Sequence, residues 1–390
     1  MREVIDPELL QQALEITLPR FPFFAVRLRR GLFWYYLENF AARPLVEPDV
    51  INPMRPFSRK DLKKFLFRVR YDNRRVSVEF FHSVTDGTGA LTFLKTLIAT
   101  YLDLRGTPCA KGEGVLDVHQ SAEPEEMEDA YKRFSNFRAV RRPKEAKAFR
   151  LQGTISPTHH VQIINGIVSL AKVKEVAKKF QISVTEFLAG VYLNELYVVQ
   201  QQGGFNTMAP VCLSVPINVR RFYPSRTLRN FSLFVNPAIE PALGHYTLEE
   251  ILGLVHHYMR YTVNEKFLNA LMSANVGPER SIFLRFSPLF LKNMVMRVAY
   301  NLVGDSRFTS TMSNIGAIKM PEGMADHVER FEFLIGPSHY NAINSTVCST
   351  GDTLMISFTS TMPETDLQRL FFKQLVRLGI PVRIESNLTY

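Results

Sequence analysis

Apolar and polar residues alternate with a period of two in some stretches of the chain and recur every three to four residues in others, so strands and helices are mixed throughout. The clearest alternation is Val76-Ser77-Val78-Glu79-Phe80-Phe81. With Leu66 to Arg70 and the turn residues Asp72-Asn73, it predicts a hairpin. Directly after it, Ala90 to Leu102 has helical spacing. Nearer the start, Asp6 is placed as a helix N-cap and Pro7 as the first helical residue. Leu10, Leu14 and Leu18 then form one apolar stripe that stops at Pro19. Short strands are expected around Phe24 to Arg29 and Leu32 to Leu37.

Residues 105 to 157 break this rhythm with glycine, proline, the acids Glu123, Glu125, Glu126 and Glu128, and then a run of bases, Lys132, Arg133, Arg138, Arg141, Arg142 and Lys144. This is the candidate linker. Beyond it the pattern predicts a strand at His159 to Val168, a helix at Lys172 to Phe180 and a long helix opened by the capping box Ser183-Val184-Thr185-Glu186. A second box, Thr247-Leu248-Glu249-Glu250, opens a helix running toward Ala270. Strands are expected at Thr309 to Gly316 and Phe331 to Ile335, then a hairpin from Ile343 to Met362 turning at Gly351-Asp352. A final amphipathic helix follows Pro363.

Composition narrows the classes. With 390 residues, 46% hydrophobic and 22% charged, the chain can bury a large core and is long enough for two domains, which excludes a disordered or fibrous protein. Its 3 cysteines, Cys109, Cys212 and Cys348, suit neither a zinc site nor a disulfide framework, so a reducing cytoplasm is expected and metal chemistry has no support. The apolar stretch Ile282 to Val303 is interrupted by Arg285, Lys292 and Arg297, so no transmembrane span is predicted. The net charge of +10 suits an anionic partner: nucleic acid, a membrane surface or a phosphorylated cofactor. Scattered bases and the lack of any nucleic-acid-binding signature lower the first of these.

The chemistry concentrates at His82-Ser83-Val84-Thr85-Asp86-Gly87-Thr88-Gly89, where a strand gives way to a helix. An imidazole titrating near neutrality at such a junction is suited to act as a general base. Gly87 and Gly89 are expected to let the backbone turn sharply and a ligand approach closely. No Gly-x-Ser-x-Gly elbow occurs and no cysteine lies in a nucleophile motif, which argues against a covalent acyl-enzyme. The pairs His159-His160 and His256-His257, and His339, read as structural or surface residues.

Taken together, three segments resemble the chloramphenicol acetyltransferase-like superfamily of acyltransferases, which includes condensation domains and alcohol acyltransferases. His82 to Gly87 resembles its catalytic His-x-x-x-Asp-Gly motif. Val215 to Arg220, with Arg229-Asn230-Phe231 and Phe234-Val235-Asn236, resembles its second signature. Thr311-Met312-Ser313-Asn314-Ile315-Gly316 resembles the serine-asparagine-glycine strand of the alcohol acetyltransferase branch. The likeness spans about residues 6 to 380. Phe81 stands where condensation domains carry a first histidine. The chain also opens at what would be the family's first helix, without the strand usually placed before it, so one sheet is expected to be incomplete.

The resemblance implies an α/β fold of two lobes, mixed sheets flanked by helices, with a tunnel between them. The expected division is 1–150, ending in the charged linker, and 151–390. It implies His82 as the base, with Asp86 and Arg220 paired to hold the histidine loop, Arg221 being the neighbouring alternative for that pair. Gly87 and Asn236 are expected to support the site. Ser313 and Asn314 are candidate oxyanion or substrate contacts, with Ser310 and Thr311 as opposite-face alternatives. The implied co-substrate is acyl-CoA, with no permanently bound cofactor. The partners are a small-molecule donor and acceptor, with a carrier protein as the secondary donor form. The other reading is a non-catalytic member that binds an acyl chain or a carrier protein.

Overall fold

The computed structural model describes residues 1–50, 52–136, 146–154, 156, 160–303, 305–338 and 341–387. His159, His339 and the basic residues Arg138, Arg141, Arg142 and Lys144 lie outside these. The first helix, Pro7–Thr17, begins as expected, with Asp6 accepting from the backbone N–H groups of Glu8 and Leu9 at 2.9 and 3.1 Å. Its apolar stripe packs on helix Gly87–Leu104. The predicted hairpin is Phe67–Asp72 and Arg75–Phe80, with Asn73 at φ 47° in the turn. Val46–Pro48 joins as a third, parallel strand. A knot of phenylalanines, Phe21, Phe24, Phe67, Phe80 and Phe93, fills the space between sheet and helix at ring spacings of 4.7 to 5.8 Å. Val26–Arg30 and Tyr35–Asn39 form a separate antiparallel ribbon.

The second half is organised on an eight-stranded mixed sheet. Its main order is Arg383–Ser386, Gln162–Ser169, Thr353–Ser360, Ile343–Thr350, Ser310–Ala317, Val211–Asn218 and Ser232–Val235, with Ala238–Ile239 also pairing to Val211–Asn218. Only the two pairings made by Ser310–Ala317 are parallel. Helices Leu170–Lys179, Val184–Gly203, Leu248–Thr262 and Asp366–Arg377 contribute to the apolar core that includes Ile343, Val347, Ile356 and Phe358. Gly166 is needed within its strand because the Phe372 ring lies on it; an added Cβ would come within 2.1 Å of that ring. On the opposite face, Cys348 and Met355 join the core built on the N-terminal elements. The chain thus has two lobes, mixed sheets flanked by helices.

Three elements differ from expectation. Phe331 to Ile335 is extended but belongs to no sheet. It crosses the sheet face, where its carbonyls accept side-chain donors: Cys348 Sγ to Phe331, Thr346 Oγ1 to Phe333 and Thr359 Oγ1 to Ile335. The helix opened by Thr247 ends at Thr262, because Asn264 caps a new helix, Glu265–Val276, by accepting from Phe267 N at 3.0 Å. The edge strand Arg383–Ser386 has no forerunner in the sequence reading. The charged stretch expected as a linker is packed where it is described. Glu126 makes a buried two-bond ion pair with Arg20 at 2.6 and 2.7 Å, and the short helix Ala130–Phe134 stacks Phe134 on Phe231. Among the described residues no single helix is long and apolar enough to cross a membrane.

Candidate active site

His82 follows the edge of strand Arg75–Phe80, in the turn that leads to helix Gly87–Leu104. The turn is held from behind. Asp86, only 6% exposed, caps the helix: Oδ1 accepts from Thr88 N and Gly89 N at 3.1 and 3.3 Å. Its Oδ2 accepts from Arg220 Nη1 at 2.7 Å and from Phe231 N at 2.9 Å. Arg220 is saturated in turn, donating to Thr227 O at 2.9 Å and Arg229 O at 2.6 Å. Asn218 bridges to the helix, with Nδ2 on Thr88 Oγ1 at 3.2 Å and Oδ1 accepting from Arg220 N at 3.1 Å. A buried pair linked this completely leaves Asp86 no free oxygen for substrate.

Gly89 lies where Thr85 Oγ1 donates to Leu228 O at 2.6 Å, and an added Cβ would sit 2.1 Å from both oxygens. Gly87 faces Ile315 and Phe333, with 3.1 Å and 3.4 Å left for a Cβ. Neither glycine has a positive φ. The expected sharp turn is therefore a close approach between packed segments, not a left-handed backbone.

The exposed His82 ring makes no hydrogen bond to another described residue, while its backbone carbonyl accepts from Asn230 Nδ2. His82 lines a cavity of ≈ 1990 Å³ walled by both lobes. Asp86, Gly87, Thr311, Ser313, Asn314 and Asn236 also line it. Strand alternation puts Thr311 and Ser313 on one face; the ladder then shifts register between Asn314 and Gly316, and the side chain of Ile315, at that irregularity, meets Gly87.

Two of the expected site residues have hydrogen-bond partners of their own. Ser310 is fully buried and turned away from the cavity, accepting from Tyr192 Oη and donating to Ile343 O, both at 2.7 Å. Asn236 lies five residues beyond Phe231, just past the end of strand Ser232–Val235. Its N–H donates to Tyr258 Oη at 3.2 Å. Asn314 reaches the cavity wall with its side chain already committed, Nδ2 to Thr185 Oγ1 at 2.9 Å and Oδ1 accepting from Gly316 N at 2.8 Å.

Three residues at the site were given no role from sequence. Asn230 and Asn218 sit inside the quoted signature, so their position was the available signal. Tyr131 had none, because it lies in the stretch read as linker. It lines the cavity with its hydroxyl on the backbone of Ser232, and burial pushes its phenol up to about 12. Arg221, the alternative partner for Asp86, is exposed and lines the cavity. Among the described residues no three His, Cys, Asp or Glu side chains gather as metal ligands. His256 instead faces Glu186, Nδ1 to Oε2 at 3.3 Å.

No protein-family model matches the chain, and no curated protein sequence does. Solved structures do match over nearly its whole length. Polyketide synthase associated protein 5 from Mycobacterium tuberculosis is 12% identical, covering 96% of this chain and 91% of its own, at a TM-score of 0.60. F. sporotrichioides TRI101, solved with coenzyme A and T-2, is 10% identical over 99% of this chain and 94% of its own, at 0.59. The epimerization domain from the third module of tyrocidine synthetase B is 12% identical over 97% and 89%, at 0.56. The chain therefore has the two-lobed chloramphenicol acetyltransferase-like fold that these proteins share.

Proposed function

We propose that the protein is an acyltransferase that moves an acyl group from acyl-CoA to the hydroxyl of a small acceptor, with His82 as general base. An amine is the secondary acceptor. The observation that carries this reading is the His82 turn, locked from behind by Asp86, Arg220, Asn230 and Phe231 while His82 itself lines the cavity. The cavity exceeds the roughly 300–1,000 Å³ typical of a single small ligand, which leaves room for two substrates. A neighbour of the same fold was solved with coenzyme A and T-2 together. In this reading residues 1–150 and 151–390 are the two lobes.

The chemistry runs without a covalent enzyme intermediate. As the acceptor oxygen attacks the thioester carbonyl, His82 takes the hydroxyl proton. The tetrahedral oxyanion needs donors, and Thr311 and Ser313 offer hydroxyls from one face of a strand that lines the same cavity as His82. Collapse breaks the carbon–sulfur bond, and the proton held by His82 passes to the departing thiolate. Acyl-CoA is thus a co-substrate and not a resident cofactor. The three buried thiols suit a cytoplasmic setting.

The test is a screen of the purified protein against short and medium acyl-CoA donors with alcohol acceptors, reading released thiol, with a His82→Ala control. Turnover lost in the control supports the proposal. Tight acyl-chain binding with no thiol release from any donor would favour the non-catalytic reading.

A further inference from the structure

Helix Leu289–Val303 is built inside out. Among its described side chains up to Val298, only Leu289 and Lys292 are buried, one turn apart, while Phe290, Leu291, Met294, Val295, Met296 and Val298 are exposed. The buried lysine anchors the helix to the ribbon formed by Val26–Arg30 and Tyr35–Asn39. Its ammonium donates to Phe33 O at 2.8 Å and sits 3.4 Å from the Trp34 ring centre. Leu289 N donates to Leu32 O at 2.9 Å, and Asn293 Nδ2 to Tyr35 Oη at 3.2 Å. The preceding helix, Ile282–Phe286, continues the same surface, with Phe283 88% and Phe286 66% exposed. Trp34, Tyr35 and Tyr36 add half-exposed rings beside it. An apolar surface this continuous needs something to cover it.

Charge indicates what. Residues 281 to 303 contain Arg285, Lys292 and Arg297 and no acid; residues 26 to 37 contain Arg27, Arg29 and Arg30 and no acid. Glu38, the first acid after them, is already bridged to Arg27 at 2.6 Å and Arg29 at 3.2 Å. A second copy packed two-fold on this face would oppose like charges. We propose that the two helices and the ribbon form a docking surface for an anionic lipid bilayer. Helices lying flat with large apolar side chains outward, flanked by arginine, tryptophan and tyrosine, match the headgroup region in both polarity and charge. The surface borders the cavity, because Glu279 before the helices and Arg307 after them both line it.

The test is cosedimentation of the full chain with phosphatidylcholine vesicles, with or without phosphatidylglycerol, and needs no acyl-transfer activity. The wild type should partition onto the anionic vesicles, less so as salt rises. Phe283→Asp with Phe290→Asp and Met294→Asp, and separately Arg285→Gln with Arg297→Gln, should each weaken binding about tenfold. The altered side chains are exposed, so thermal melts should match the parent. Three outcomes overturn the proposal: no sedimentation of the wild type; equal binding to neutral vesicles or by both variants; or a concentration-dependent dimer in light scattering that the triple variant abolishes while vesicle binding is unaffected.

Discussion

At Asp86 all four described hydrogen bonds go to the protein, so its contribution is to the shape of the His82 turn. Removing either member of the Asp86–Arg220 pair leaves a buried charge uncompensated, at a cost of about 3–5 kcal/mol. In denaturant titrations, Asp86→Asn together with Arg220→Met should destabilise less than the sum of the single changes. Additive effects would show that the pair is not coupled. On the next wall, Ser313→Ala should lower kcat about 10²–10³-fold if Ser313 donates to the oxyanion. Ser310→Ala should instead lower stability, since it removes the partner of the buried Tyr192 hydroxyl. Steady-state rates and melts on both variants separate the two roles, and loss of kcat without loss of stability in the Ser310 variant would contradict the assignment. The motif pattern paired Asp86 with Arg220 and left the neighbouring Arg221 as the alternative, because sequence alone does not say which of two adjacent side chains turns inward. They lie in the 3-10 turn Val219–Arg221, where successive side chains diverge by about 120°. One reaches back to Asp86 and the other lines the cavity.

Among the elements, the hairpin, the capped helices and the strands around Ser313 and Gly351 were legible because periodicity and caps are local. Whether an extended segment joins a ladder is not. Phe331 to Ile335 reads like a strand, yet its bonding partners are side chains on every second residue of Ile343–Thr350, together with Thr359. Alternation cannot distinguish a strand within a sheet from one laid across its face. Replacing Thr346 and Thr359 by valine should leave the Phe333 and Ile335 carbonyls without these donors, each at roughly 1–3 kcal/mol. Hydrogen exchange should then quicken on either side of these positions while helix Val184–Gly203 stays protected. Unchanged exchange would mean that packing alone holds the segment. The break at Asn264 was missed for a different reason: two helices with similar apolar spacing read as one unless the internal cap is noticed.

For the whole molecule, the cavity depends on parts far apart in sequence. His82, Thr311 and Asn230 share one cavity only because the N-terminal turn, strand Ser310–Ala317 and the loop before Ser232–Val235 converge. The resemblance gave the order of these parts, but single-chain periodicity could not give their convergence, nor that Tyr131 joins them. The thiols are placed against covalent chemistry. All three cysteines are buried, and burial raises the Cys109 thiol and pushes Cys348 up to about 12, far from the thiolate a nucleophile needs. Replacing all three by alanine should preserve turnover apart from a loss of stability, and an acyl-cysteine adduct seen by mass spectrometry during turnover would contradict direct transfer. The most direct measurement of the central claim is the rate of thiol release from an accepted acyl-CoA by the parent and by His82→Ala. Because the exposed ring makes no hydrogen bond to another described residue, the variant should fold and melt like the parent. The account predicts a rate lower by about 10²–10⁴-fold. A well-folded variant that keeps near-parental turnover would contradict it.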